Sequence, residues 1–384
     1  MAAAAAFALG ACTGSAGTAA VPTPIATPYP SPSPSPPASP IPCVQPVARQ
    51  VASGVTSADP VLLLASGLNG PDDLLFTDDG TVLVGEHGNG HIARAGGATG
   101  LVRLPQVVPE AEGIAQIAGV TYLADQYHAR IVALTDTGVR TVLQLTPVAS
   151  GENLDGISTD LKGTGLVVPD SPHGTVLFVN TAGQVTGRVG GFSRPAGSSP
   201  DPSKGGYLIS DENASAVFEL AGGVRHRLAG GLSGVDDAIR DDRGHVLAIL
   251  PASGRLYDLT SGGNVASGLR NPQGLGFDAA GNLLVTETDN GRLDLVVKTF
   301  AITVPPPNVQ LAPGQPVCFA VVRAPGFTDP VQVQEVVNGL PVTDPTSDTP
   351  GQLVPGRCTQ PPCTVTLIVK SGSLLEYAWI TYRD

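Results

Sequence analysis

Apolar residues in this chain fall in short runs that alternate with polar ones and are separated by Gly, Pro, Asp and Asn. Residues 268–293, GLRNPQGLGFDAAGNLLVTETDNGRL, show the unit most clearly. A Pro-x-Gly step leads into a strand through Leu275 and Phe277, the turn DAAG follows, and a second strand ends on Glu287. A polar turn then opens a third strand at Leu293. Period-two patterning bounded by turn residues predicts β-strands, and no window sustains the 3.6-residue period of a helix. Five earlier segments repeat the unit with drift, beginning at Gly70, Ala111, Leu154, Pro195 and Val235. Six copies spaced by about 40 residues are what a propeller of four-stranded blades requires.

Each third strand is followed by an outer one, at 139–145, 184–189, 224–228 and 264–266. The run PVLLLA at 60–65 has the same character but precedes the first copy. It is expected to complete the last blade, a Velcro closure that ties the ring and removes a free sheet edge. After Lys298 the unit stops, and residues 300–384 alternate with frequent turns, as a small Ig-like β-sandwich would, with Trp379 as its core aromatic. The predicted fold is therefore all-β: a six-bladed β-propeller over 60–299 and a C-terminal β-sandwich over 300–384.

Residues 1–12 end in LGAC, which resembles the lipobox of bacterial lipoproteins. That likeness implies export, lipidation at Cys12 and attachment to the outer face of a bacterial membrane. Residues 13–59 form a Pro, Ser and Thr-rich tether and lead-in. Their Pro-alternating part cannot bury a core and favours extended polyproline II. Apart from Cys12, the cysteines are Cys43, Cys318, Cys358 and Cys363. An even number in an exported chain points to two disulfides. Cys318 is expected to pair with Cys358 or Cys363, leaving Cys43 for the other. A net charge of −12 argues against nucleic acid, which needs clustered Lys and Arg. The expected species is a monomer.

Aligning the copies on the acid that ends each second strand places one residue per blade at the start of the innermost strand. These are Asp72, Glu112, Asp155, Ala196, Asp236 and Gln273, each 13 to 15 residues before its partner position. Innermost strands line the axial channel, so four carboxylates and an amide are expected to converge at one mouth. Like charges held together call for protonation or a cation, and oxygen ligands suit Ca²⁺ or Mg²⁺. A second ring, Glu86, Asp125, Asp170, Asp211 and Glu287, with Leu250 in blade five, is expected to hold turn N–H groups. Arg130, Arg255 and Arg292 are expected to pair with neighbouring acids. His87, His128 and His173 lie in the turns after the second strands of three consecutive blades. They are expected on the same mouth, as ligand-binding or acid/base groups. No Ser-His-Asp signature or phosphate-cradling loop is present.

The Pro-x-Gly openings at Pro195 and Pro272, with strand ends YLAD (122–125) and LLVTE (283–287), resemble those of NHL and gluconolactonase–regucalcin propellers. Streptogramin lyase is a more distant likeness. The gluconolactonase resemblance implies a metal held by Glu112, Asp155 and Asp236, in chain order Glu, Asn, Asp. Here Asp155-Gly156 stands in the place of Asn-Gly, and Asp236 is followed by Asp237 instead of Gly. The same resemblance implies a metal-activated water, with Asp155 or Asp236 as general base. Two functions follow. One is capture of a small molecule, glycan or surface protein at the channel mouth, with Asp72 and Gln273 among the ligand-binding groups. The other is metal-dependent hydrolysis of a lactone or ester.

Overall fold

Six antiparallel sheets follow the copies of the repeat, and four of them are built from consecutive strands alone. The computed structural model describes residues 43–46, 51–97, 100–150, 153–305, 311, 317–337, 340–341, 352–353 and 363–382. The signal-type segment with Cys12, the tether to residue 42, and Cys358 lie outside the described residues.

The innermost strands of the six sheets are Pro71–Phe76, Ala111–Ile117, Ser158–Thr159, Pro195–Asp201, Ala238–Arg240 and Pro272–Phe277. Each contacts the next, and the sixth contacts the first, so they close a ring. Val61–Ser66 pairs antiparallel with Arg292–Val296 and supplies the outer strand of the last sheet, joining the two ends of the ring. A feature the pattern did not predict is Thr56–Ser57, which pairs with Gly263–Ser267 and makes the fifth sheet five-stranded.

What holds the ring is apolar packing between neighbouring sheets. Six separate clusters each draw residues from two adjacent blades, such as Leu123 and Ile92 between the first and second, and Ile249 and Val285 between the fifth and sixth. Alternation along each strand therefore serves two interfaces, one per face of the sheet. The inner ends of the blades approach at backbone distance. A Cβ on Gly113 would lie 2.2 Å from the Ile157 nitrogen of the next blade, so only glycine fits.

The C-terminal segment has its own core, formed by Phe300, Phe319, Val365, Leu367, Ile380 and Tyr382 among others. Its longest ladder pairs Cys363–Ser371 with Leu374–Tyr382. Trp379 is not part of that core. In Leu374–Tyr382 the buried positions alternate, and Trp379 falls on the opposite face with Tyr377, the two rings stacked 6.3 Å apart. That face lies against blade one: a Cβ at Gly80 would meet the Tyr377 ring at 2.5 Å, and Gly96 is next to Trp379. Strand parity sends Trp379 away from the core to which its size had assigned it.

The disulfide expectation is also corrected. Cys43 is bonded to Cys318, with Cα atoms 5.4 Å apart. The lead-in makes this possible, because Val44 bridges Val317 in parallel and brings the two cysteines alongside. Cys363 is disulfide-bonded as well.

Candidate functional site

The ends of the inner strands explain why carboxylates gather. In blades one, two, four and six the ladder between first and second strands slips across the ring position, between Pro71 and Leu74, for example, and between Ala111 and Ile114. Such bulges re-aim side chains at a strand's end. In blades three and five the regular inner strand starts only at Ser158 and Ala238, beyond Asp155 and Asp236. The outcome is one cavity of about 350 Å³ at the end of the channel where the inner strands begin. Asp72, Glu112, Asp155, Asp236 and Gln273 all line it.

His87 lines it too, and this distinguishes the three turn histidines. Its Nδ1 lies 2.9 Å from Glu112 Oε1. His128 and His173 do not reach the cavity, contrary to the sequence expectation. Nδ1 of His128 pairs with Asp125 at 2.9 Å, and Nδ1 of His173 with Asp170 at 2.7 Å. Each ring is held by the second-strand acid of its own blade, while His87 crosses to the neighbouring blade. The difference is one of position: His87 directly follows Glu86, whereas His128 and His173 stand three residues after their acids, the position from which Asn89 donates to Glu86.

Second-ring acids behave largely as structural anchors. Asp211 accepts the N–H groups of Ser193, Arg194 and Ala214, and Glu287 accepts that of Arg270. The bonds from Ser193, Arg194 and Arg270 tie the second strand to the segment that precedes its own inner strand, and that from Ala214 closes the turn after the second strand. Arg130 pairs with Asp125 and Arg292 with Glu287, as expected. Arg255 differs: with Leu250 in place of the acid, its Nε donates to Ser253 Oγ and its guanidinium lies 5.6 Å from the Tyr257 ring centroid.

Glu112 is the hub of the cavity. It is 5% exposed, accepts from Gln126 Nε2 at 2.7 Å, and shares a hydrogen bond with the Asp155 carboxyl. Burial, then the charges of Asp155 and Asp72, push its carboxyl well above the usual range. Burial and the charge of Asp155 likewise raise Asp72 to about 8 and push Asp236 well above the usual carboxylate range. Two acids not assigned from the sequence join them. Asp73 is driven well up by burial and by Asp237, and Asp237 rises to about 7 through burial despite accepting the Ala238 and Leu275 N–H groups. Their signal was the Asp-Asp doublet, in which the second acid takes the position of Gly113, Gly156, Gly197 and Gly274 in the other blades. Arg194 was missed as well: its Nη2 is 3.3 Å from Asp155 Oδ2, and its Nη1 contacts Glu212 Oε2.

Asp72, His87 and Glu112 each offer a ligand atom within 4.8 Å of the other two. Two carboxylates and an imbalance of negative charge fit a divalent cation, and the imidazole extends the choice from Ca²⁺ and Mg²⁺ to Mn²⁺ and similar ions. This triad shares only Glu112 with the set that the sequence resemblance implied. Asp155 and Asp236 line the same cavity without completing that group.

No family model matches the chain, and no curated protein does. Solved structures do. A gluconolactonase from Xanthomonas campestris superposes at a TM-score of 0.51, with 15% identity over 68% of this chain and 97% of that one. Virginiamycin B lyase from Staphylococcus aureus gives 0.48, at 12% identity over 63% and 98% of the two chains. A putative glucose dehydrogenase-type oxidoreductase from Thermus thermophilus gives 0.49, at 16% identity over 61% and 98%. At such identity the likeness to the gluconolactonase, the one of these three with a TM-score above 0.5, speaks for the fold alone. The chain is a β-propeller whose structural neighbours are gluconolactonase-like and NHL-type propeller proteins.

Proposed function

We propose that the axial cavity holds a divalent cation on Asp72, His87 and Glu112 and hydrolyses a lactone or related ester. A cation there would neutralise the crowded carboxylates and supply Lewis acidity. The observation that carries the hydrolytic reading is the contrast between Asp155 and Asp236. Asp155 is bonded to Glu112 and Arg194, whereas no hydrogen bond engages the Asp236 carboxyl among the described residues. A carboxyl raised by burial and left unengaged across a cavity from a cation site has the character of a general base or acid. Gluconolactonase chemistry in a structural neighbour agrees with this reading. Gln273 and Asn271, also on the wall, would orient the ligand's hydroxyl groups.

A second reading is capture without turnover. It is favoured by Arg194, which ties up one of the two candidate bases. Chelator-stripped protein should regain cation in calorimetric titration with CaCl₂, MgCl₂ and MnCl₂, and should then hydrolyse members of an aldonolactone and ester panel. Asp236→Asn should lower kcat by about 100-fold or more while cation affinity stays within a few-fold. Bound cation with no turnover on the panel would select the capture reading. Failure to bind any of the three cations would remove the hydrolytic reading.

A further inference from the structure

Blade four departs from the other five in a way that bears on the same site. Its ring position is Ala196, which brings no polar group to the channel mouth. Two residues earlier, where the other blades carry Gly70, Glu110, Asn153, Gly234 and Asn271, it carries Arg194. The Arg194 backbone is fixed: its N–H donates to Asp211 Oδ1 at 2.9 Å and its carbonyl accepts the Glu212 N–H at 2.9 Å. From that base the side chain, 19% exposed, runs to Asp155 on one side and Glu212 on the other. Among the residues lining the cavity it is the one permanent cation.

We propose that Arg194 is a resident counter-cation of the acidic cavity, and that a divalent ion binds in competition with its contact to Asp155. The inference rests on the cation site proposed above. Asp155 is the junction of the two networks, bonded to Glu112 of the triad and paired with Arg194 at 3.3 Å. A dication arriving on Glu112 comes close to the guanidinium, and like charges in a half-enclosed site repel. The Glu212 contact lies outward of this junction, so the guanidinium stays at the mouth when Asp155 is taken from it. Arg194 thereby sets how tightly the cavity holds its ion. Once released from Asp155, it presents its donors to a carbonyl or carboxylate oxygen of an incoming ligand.

The test is calorimetric titration of CaCl₂ and MnCl₂ into chelator-stripped wild type, Arg194→Gln, Arg194→Met, Arg194→Lys and Arg227→Gln. Arg227 is on the exposed outer strand Val224–Gly230 and controls for net charge alone. Loss of the resident charge should tighten cation binding by about tenfold in both uncharged variants. Arg194→Lys and Arg227→Gln should stay within about twofold of wild type. Unchanged or weaker binding in a folded Arg194→Gln or Arg194→Met protein would overturn the proposal while leaving the cation site standing. Binding in those variants but not in wild type would retain the counter-cation role and refute a natively held ion. No binding in any of the proteins would refute both.

Discussion

Asp294 illustrates how this propeller treats buried charge. It is fully buried on the third strand of the last blade, beside Glu287 and 3.4 Å from Arg292 Nη2. Burial, and a hydrogen bond in which it donates to Glu287, raise its carboxyl to about 8, while the same bond and Arg292 hold Glu287 low. One proton is thus shared by two acids facing one arginine. The folded Asp294 keeps its proton from about pH 4 to about pH 8, whereas the unfolded chain releases it near 4. This group therefore contributes stability that is fully present below the ordinary carboxylate range and is lost as pH rises toward 8. Asp294→Asn retains the donor to Glu287 without the titration. It should raise the thermal midpoint at pH 8 by about 2–4 °C and change it little at pH 4.5. Parallel curves for mutant and wild type across that range would refute the assignment. The turn histidines offer a sharper comparison. His87→Ala should weaken cation binding by about tenfold or more, and His128→Ala or His173→Ala should leave it unchanged, because only His87 touches Glu112. Equal losses in all three would mean that the site extends over the turns.

At the scale of the blade, the inner strand is where sequence, packing and chemistry meet. Gly113 follows Glu112 and lets the second blade close to backbone contact on the third. Gly113→Ala should cost about 1–3 kcal/mol or more in urea unfolding, and should also disturb cation binding, because the strand that must move carries Glu112. A stable variant with native affinity would show that the blades can part without consequence. The same element separates what was legible in the sequence from what was not. Asp72, Glu112, Asp155, Asp236 and Gln273 could be placed on one cavity because the repeat spacing carries each to the same point of its blade. Asp73 and Asp237 are buried next to that ring without lining the cavity, and the spacing of the repeat marks only the residue before each of them. Arg194 was hidden for another reason: it precedes the inner strand, outside the two positions per blade that the carboxylates mark. His128 and His173 were misassigned because the turns were compared as wholes: each stands three residues after its blade's acid and folds back onto it, whereas His87 directly follows Glu86 and faces the mouth. The Cys43–Cys318 bond depends on Val44 running beside Val317, a contact between segments 273 residues apart that no local pattern records.

For the whole molecule, the consequence of closing six blades on one axis is electrostatic. Asp72, Asp73, Glu112, Asp236 and Asp237 all have carboxyls raised by burial, with their neighbours' charges adding to it. In metal-free protein each of them, like Asp294, holds its proton in the fold at a pH where the unfolded chain has released it. Their joint contribution is present below about pH 4 and declines as pH climbs toward 7 to 8, the range named by Asp237 and Asp72. Opposing it are acids whose folded values are lowered, among them Glu86 through Arg103 and Asp258 through Ser261 and His245. Those stabilise above the ordinary carboxylate range and lose their effect only as pH falls through their lower values. Chelator-treated protein should therefore be most stable in mildly acid buffer and should lose thermal midpoint steadily from about pH 5 to pH 8. Saturating CaCl₂ or MnCl₂ should restore the midpoint at pH 8 and do little at pH 5, because at low pH protons already occupy the sites that the cation needs. At a free concentration 100 times its dissociation constant the ion would add about 2.7 kcal/mol. Differential scanning calorimetry with and without cation at the two pH values measures this directly. A cation effect of equal size at both would place the ion away from the axial carboxylates. A midpoint that rises with pH in the chelated protein would mean that those oxygens are not held together in solution.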